Sequence, residues 1–179
     1  MKGVAKEILL TSLYLLVALC LTYLVIHYIG QRTEVVGSSM YPTLEDRDNL
    51  IVSKITYRLE DPKRFDIIVF PFQYENQTYF IKRIIGLPGE TVRIDENGVI
   101  YINDQVLEEN YGREVIQDPG RAIQPITLRD DEYFVLGDNR NNSTDSRTAI
   151  VGNIKKSEII GKAWIRIYPF DKFGKIDHQ

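Results

Sequence analysis

Two adjacent serines in the stretch VVGSSMYPTL, residues 35–44, are the first candidates for chemistry. A serine becomes a nucleophile only when a neighbouring base takes its proton. The chain has two histidines: His27 lies in an apolar run and His178 is the next-to-last residue. Neither position suits the rigidly held imidazole of a Ser-His-Asp triad. If Ser38 or Ser39 is a nucleophile, its base is therefore a lysine or a carboxylate.

Two lysines lie in apolar stretches that read as strands, Lys54 in LIVSKITY and Lys82 in YFIKRIIG. A lysine acts as a base only when neutral, so its pKa of about 10.4 must fall by several units, which burial away from water can achieve. Strand alternation places Lys82 on one face with Phe80 and Ile84, and Arg83 on the other face. These patterns leave both lysines open as candidates.

A third polar stretch, LGDNRNNSTDSR at 136–147, follows an apolar strand and is typical of a hydrogen-bonded loop. A calcium-binding loop of the type D-x-[DN] needs an oxygen ligand at its third position, counted here from Asp138. That position is Arg140, which argues against a calcium site. The single cysteine, Cys20, lies in the apolar run, so neither a disulfide nor a site of His and Cys ligands is expected. No phosphate-binding glycine motif occurs, and we expect no metal and no cofactor.

The elements that must position these residues are mainly strands. Short runs of Val, Ile, Tyr and Phe are separated by Gly, Pro, Asn and Asp, and no long stretch shows a 3.6-residue period. The pattern predicts a mainly antiparallel β fold, a sandwich or a barrel.

Asn97-Gly98 in VRIDENGVIYI predicts a hairpin with a positive φ at the glycine. The weaker pattern at 107–125 predicts an excursion between strands. Strands are expected near 49–57, 66–72, 78–85, 132–136 and 159–168.

The first thirty residues differ from the rest. Residues 8–29 contain no Asp, Glu, Lys or Arg, and as a helix these 22 residues would extend about 33 Å, enough to span a bilayer. The run exceeds the apolar core of a cleavable signal peptide and no small-x-small site follows it, which favours an uncleaved anchor. Lys2 and Lys6 favour a cytoplasmic N-terminus, residues 1–7, and an exported domain, residues 30–179.

The outer part carries 20 basic and 24 acidic residues, a formal net charge of −4. Binding of nucleic acid usually requires a concentrated basic face, so we expect no nucleic-acid partner. About 150 residues suffice for one domain with its own core.

Taken in order, these pieces resemble the type I signal peptidases, membrane-anchored serine proteases that remove signal peptides from exported proteins. The resemblance covers nearly the whole chain, and the single anchor and short length are similar to the compact Gram-positive forms. It rests on the N-terminal anchor followed by GSSMYPTL, DNLIVSKITYR, FIKRIIGLPGE and LGDNRNNSTDSR.

The resemblance implies specific roles. The family's nucleophile directly precedes a Met, which selects Ser39, and its general base is the lysine of the K-R motif, which selects Lys82. Ser143 would orient the lysine amine, and Asp145 and Arg147 would form a supporting ion pair. The fold implied is an antiparallel β catalytic domain.

Two positions depart from the pattern of some members. Gly37 stands where those members have a serine that helps to bind the oxyanion, which leaves the backbone N–H of Ser39 as the assigned donor and the second donor open. Phe80 replaces a tyrosine two residues before the lysine and should help to keep Lys82 neutral.

The implied activity is cleavage of preprotein signal peptides at the cell membrane, through an acyl-enzyme on a Ser-Lys dyad. The partners implied are the signal peptide and the lipid bilayer. Two alternatives remain open: a Ser-Lys protease with another substrate, and a catalytically silent, membrane-tethered β domain that binds exported chains.

Overall fold

The computed structural model of the chain describes residues 2–24, 30–74 and 78–177; His27, His178 and the end of the expected 8–29 span lie outside these ranges. Helix α1, Lys2–Leu24, begins six residues before the apolar run. From Lys6 to Tyr23 its mean hydropathy is 1.5, and none of this stretch is buried against the protein. The helix is thus long and apolar enough to cross a membrane.

The rest of the described chain is built mainly of strands that pair antiparallel. The strands are β1 Gly30–Glu34, β2 Asn49–Ser53, β3 Ile67–Pro71, β4 Tyr79–Gly86, β5 Thr91–Ile94, β6 Ile100–Ile102, β7 Gln105–Val106, β8 Ile126–Thr127, β9 Glu132–Leu136, β10 Ile154–Lys155, β11 Gly161–Tyr168 and β12 Gly174–Lys175. The larger sheet has the order β1-β2-β11-β3-β4-β9-β10, with β12 added on β11, and the smaller sheet has the order β7-β6-β5-β8. The predicted mainly antiparallel β class is confirmed.

Apolar side chains cover both faces of the larger sheet. Leu50, Val52 and Val69 pack on one face with Met40, and Ile84 belongs to the cluster on the other. A third cluster joins the end of β4 and β9 to the smaller sheet, so the two sheets share a core. Because strand β4 contributes to all three clusters, its side chains are held on every side.

Most of the expected strands are confirmed within two residues, but the expected strand 49–57 is wrong in its second half. Strand β2 ends at Ser53, and a short helix, α2, runs from Thr56 to Leu59. The hydroxyls of Ser53 and Thr56 lie 2.7 Å apart and stabilise the turn between them. The hairpin of β5 and β6 is confirmed, with Gly98 at φ +78°.

The segment 107–125 forms no strand; its one regular element is a 3-10 helix, Gly120–Ile123. It is not merely a surface loop, because Ile116 and Ala122 are buried in the core shared by the two sheets. Its backbone also passes the hairpin turn, where a Cβ on Gly98 would lie 2.4 Å from Ile116 O.

A buried ion pair links the central strand to the loop that follows β9. Arg83 on β4 contacts Asp138 through two hydrogen bonds of 2.9 and 2.8 Å, and both side chains are fully buried. Arg83 also donates to Phe65 O at 2.9 Å, and its guanidinium lies 3.8 Å from the ring centre of Tyr111. This pairing fixes the loop against the strand, since neither charge can be left alone in the core.

Replacing Arg83 should destabilise the fold strongly. In Arg83→Met the Asp138 carboxylate remains buried without its partner, and we expect the free energy of unfolding to fall by about 3–5 kcal/mol. Urea unfolding in detergent, followed by the fluorescence of Trp164, measures this change. Arg129→Met is the control, because the Arg129 side chain is 80% exposed and its contact with Glu132 is 3.8 Å long. Equal losses in the two variants would contradict the assignment.

Candidate active site

The turn after β1 carries the two serines. Gly37 adopts φ +87°, which favours glycine, and its N–H donates to Asp46 Oδ1 at 2.8 Å. Met40 and Leu44 are buried in the core cluster beneath. These anchors fix the backbone on both sides of Ser39 while its side chain stays half-buried at the surface.

Lys82 reaches this turn from strand β4. Its Nζ lies 2.8 Å from Ser39 Oγ, donates to Ile81 O at 2.9 Å and stands 4.9 Å from the ring centre of Phe80. The side chain is only 3% exposed. The two groups are therefore in direct contact, at a distance over which a proton can pass.

Burial lowers the pKa of Lys82 to about 8. The negative charges of Asp145 and Asp138 act in the opposite direction and raise the pKa, but burial is the larger effect. Removal from water disfavours the ammonium form. About a tenth of the amine is therefore unprotonated at pH 7 and about half at pH 8, and this neutral form can accept a proton.

The other two candidates from the sequence lie apart from this contact. Lys54 follows the end of β2, is half-exposed, and lines a separate cavity with Tyr57 and Lys156. Ser38 is exposed, and its Oγ accepts a hydrogen bond from Asn142 Nδ2 at 2.9 Å. The geometry thus brings together Ser39 and Lys82.

The loop after β9 approaches the serine turn very closely. A Cβ on Gly137 would lie 2.5 Å from Ser39 O and 2.3 Å from Ser143 Oγ, so only glycine fits there. Asp145 and Arg147 form the expected ion pair, with Nε to Oδ1 at 2.8 Å and Nη2 to Oδ2 at 2.9 Å. Asp145 Oδ2 also accepts from Gly137 N at 3.1 Å, which fixes the start of the loop.

The hydrogen bond expected between Ser143 and Lys82 is not formed in this structure. Ser143 Oγ is buried and has no hydrogen-bond partner within the described ranges. An unpaired buried hydroxyl is unusual in a folded protein. The orienting role of Ser143 stays a prediction.

An open cleft of about 630 Å³ contains the Ser39 and Lys82 side chains. Residues 33–40, residues 78–82, Asn142 and Thr144 line this cleft. Within the described part of the chain no hydrogen bond uses the Ser39 N–H, which leaves it available to an oxyanion. Residues 2–24, 30–74 and 78–177 contain no group of three or more His, Cys, Asp or Glu side chains that could hold a metal.

The sequence pattern makes Asp138 and Asn139 part of a hydrogen-bonded polar loop and identifies no partner for Arg83. In the structure Asp138 pairs with Arg83, and Asn139 binds the backbone of the serine turn. The one available signal was Arg83 itself, since an arginine in an apolar strand requires a buried carboxylate. The sequence does not say which carboxylate that is.

The pKa of Lys82 can be measured directly. The 13Cε signal of Lys82, assigned by its loss in Lys82→Met, should titrate with a midpoint near pH 8, because burial removes the hydration that stabilises the ammonium. The titration is recorded on the full chain in detergent micelles. A midpoint at 10 or above would show that the amine is charged at neutral pH and would rule it out as a base.

Comparisons with known proteins show which family this chain resembles. Residues 8–168 match the family model described as "Signal peptidase, peptidase S26". The "Probable signal peptidase I-2" of Synechocystis is 41% identical over 82% of this chain and 67% of its own length, and the "Probable signal peptidase I-1" of the same organism is 38% identical over 90% and 83%. The "Signal peptidase I P" of Bacillus subtilis subsp. natto is 36% identical over 88% of each chain.

A match over nine-tenths of the chain, with relatives of this similarity, is enough to assign it. The chain belongs to the signal peptidase family, peptidase S26.

Proposed function

We propose that this protein is a membrane-anchored serine endopeptidase that cleaves signal peptides from exported preproteins, with Ser39 as nucleophile and Lys82 as general base. The observation that carries the proposal is the 2.8 Å contact between Ser39 Oγ and a buried lysine amine in an open cleft. A lysine in contact with solvent would stay charged and could not take the serine proton.

The reaction follows from this contact in two stages. Neutral Lys82 takes the Ser39 proton while Ser39 Oγ attacks the scissile carbonyl, and the oxyanion of the tetrahedral intermediate faces the Ser39 N–H. The intermediate collapses, and the leaving amine takes the proton back from the Lys82 ammonium. Lys82 then deprotonates a water molecule, which attacks the acyl ester. As this second tetrahedral intermediate collapses, the Lys82 ammonium returns the proton to Ser39 Oγ, and the peptide leaves with its new carboxyl group. No cofactor takes part.

The cleft suits an extended peptide. Extended chain lines part of it, namely residues 79–82 of strand β4 and residues 33 and 34 of strand β1, and the lining includes the apolar residues Val35, Phe80 and Ile81. A peptide that pairs with such an extended segment gains backbone hydrogen bonds and directs alternate side chains towards the protein. This alternation fits a cleavage site read at the first and third positions before the cut, where the resemblance to the family implies small residues.

Ser143, Asp145 and Arg147 support the dyad in this proposal. The Asp145–Arg147 pair is buried and holds the loop in which Ser143 lies, next to the serine turn. In this role Ser143 Oγ turns toward Lys82 Nζ when the amine becomes charged and needs another acceptor.

The proposed anchor is the apolar run 8–29, with residues 1–7 in the cytoplasm and residues 30–179, including the excursion 107–125, on the outer side. The exposed apolar surface of α1 supports the anchor, and Lys2 and Lys6 near the N-terminus support the orientation. A signal peptide has its own apolar segment in the same bilayer. Anchoring therefore raises the effective concentration of substrate at the cleft.

Cleavage of a preprotein by the purified chain in detergent tests the dyad. Ser39→Ala and Lys82→Ala should each lower the rate by at least about 10³-fold, because each removes one half of the proton transfer. Lys54→Ala is the matched control and should cleave at the wild-type rate. Loss of cleavage in the Lys54 variant alone would refute the base assignment. A wild-type chain without activity would favour the silent binding domain.

Protease treatment of intact protoplasts tests the topology. Protease added from outside should digest residues 30–179 and leave a fragment of about 3 kDa that contains α1, because the proposed orientation exposes only the β domain. Immunoblotting with tags at each terminus identifies the fragment, and a cytoplasmic protein serves as the marker of intact cells. Protection of the C-terminal tag until lysis would reverse the orientation.

A further inference from the structure

The peptide unit between Ser38 and Ser39 controls the oxyanion donor. Its carbonyl oxygen belongs to Ser38 and its N–H to Ser39, and in a planar trans peptide the two point in opposite directions. Anchoring Ser38 O on the protein side therefore sets the direction in which the Ser39 N–H points. This N–H makes no hydrogen bond to any described residue, so no direct contact fixes it.

One residue holds the backbone on both sides of the nucleophile. Asn139 Nδ2 donates to Ser38 O at 3.0 Å, and Asn139 N donates to Ser39 O at 3.0 Å. The first contact fixes the peptide before Ser39 and the second fixes the peptide after it. Such a two-point clamp restricts rotation of the Ser39 backbone in a way that a single hydrogen bond cannot.

Asn139 is itself rigidly placed. Its side chain is only 3% exposed, its carbonyl accepts from Asn142 N at 2.9 Å, and its neighbour Asp138 is ion-paired with Arg83. Arg83 in turn is adjacent to Lys82 on strand β4. The position of Asn139 is therefore tied to strand β4, which carries Lys82. The same set of contacts thus holds Ser39 and the Lys82 amine in position relative to each other.

We propose that Asn139 is a positioning residue that aims the Ser39 backbone N–H at the developing oxyanion, by holding Ser38 O with its side-chain amide. The inference rests on the proposed function, in which Ser39 is the nucleophile. It assigns to Asn139 an effect on the transition state and none on the proton transfer, because its amide contacts Ser38 and not Lys82.

The fold does not depend on this amide. Ser38 O also accepts from Tyr41 N at 3.1 Å, so removal of the Asn139 side-chain donor leaves no buried carbonyl unpaired. The contact from Asn139 N to Ser39 O is a backbone contact that a substitution retains. The side-chain amide of Asn139 thus restricts the orientation of a peptide unit whose carbonyl oxygen already accepts another hydrogen bond.

Asn139→Leu tests the proposal, because leucine has nearly the shape of asparagine and no donor. We expect kcat for a preprotein to fall by about 10- to 100-fold. This decrease is no larger than the decrease caused by removing a whole oxyanion donor, because the Ser39 N–H is still present. KM should stay within about twofold, the midpoint of the pH–rate profile should remain near pH 8, and the melting temperature should change little. Asn141→Leu is the matched control in the same loop; Asn141 is exposed and contacts Val115 and Gln117 but not the serine turn.

A peptide aldehyde with the sequence before the cut supplies a readout that a structural role would not move. It adds to Ser39 as a tetrahedral hemiacetal, so its affinity should fall with kcat/KM in Asn139→Leu, while the affinity for the peptide carboxylate product stays the same. An unchanged kcat, a parallel loss of aldehyde and product binding, or a shifted pH midpoint would each overturn the proposal. If Asn139→Leu fails to fold, Asn139→Ala serves for the same comparisons.

Ser39→Ala separates this inference from the proposed function. An inactive Ser39→Ala together with a fully active Asn139→Leu refutes only the role of Asn139. A Ser39→Ala variant that still cleaves refutes the nucleophile, and with it the proposed function.

Discussion

The buried pair of Arg83 and Asp138 is the constraint on which the site depends. Asp138 also contacts the segment that carries Ser39, since Thr43 Oγ1 donates to its Oδ2 at 2.5 Å. One carboxylate therefore joins the strand of Lys82, the turn of Ser39 and the loop of Asn139. Charges buried this deeply need good geometry to offset their desolvation. That requirement leaves the three segments little freedom to move relative to one another.

A second balance sets the protonation of Lys82. Burial favours the neutral amine, and the carboxylates of Asp145 and Asp138 favour the charged one. Each of these carboxylates is paired with an arginine of its own, Arg147 and Arg83. Burial is the larger effect and the pKa falls. The polar loop after β9 can thus hold the site in place without keeping Lys82 in the charged form, and the proposed reaction requires the neutral amine.

The sequence indicated the fold class and most strands, because alternating apolar residues report directly on burial. It narrowed the chemistry to two serines and two lysines, and only the family resemblance chose between them. The partners of Arg83 and Asn139 lie far along the chain, 55 residues away for Asp138 and 101 for Ser38, and depend on sheet order. Local patterns carry no information on such pairs. The early end of β2 was missed because the Ser53–Thr56 turn interrupts an otherwise strand-like run.

Gly137 has a consequence for how this protein can evolve. The atoms that a side chain would meet there include the backbone oxygen of Ser39, which no repacking of neighbouring side chains can move aside. Position 137 therefore admits only glycine, whereas Asn141, exposed in the same loop, can be replaced at little steric cost. The tolerance of this loop to substitution is thus set by how closely each position approaches the backbone of the serine turn.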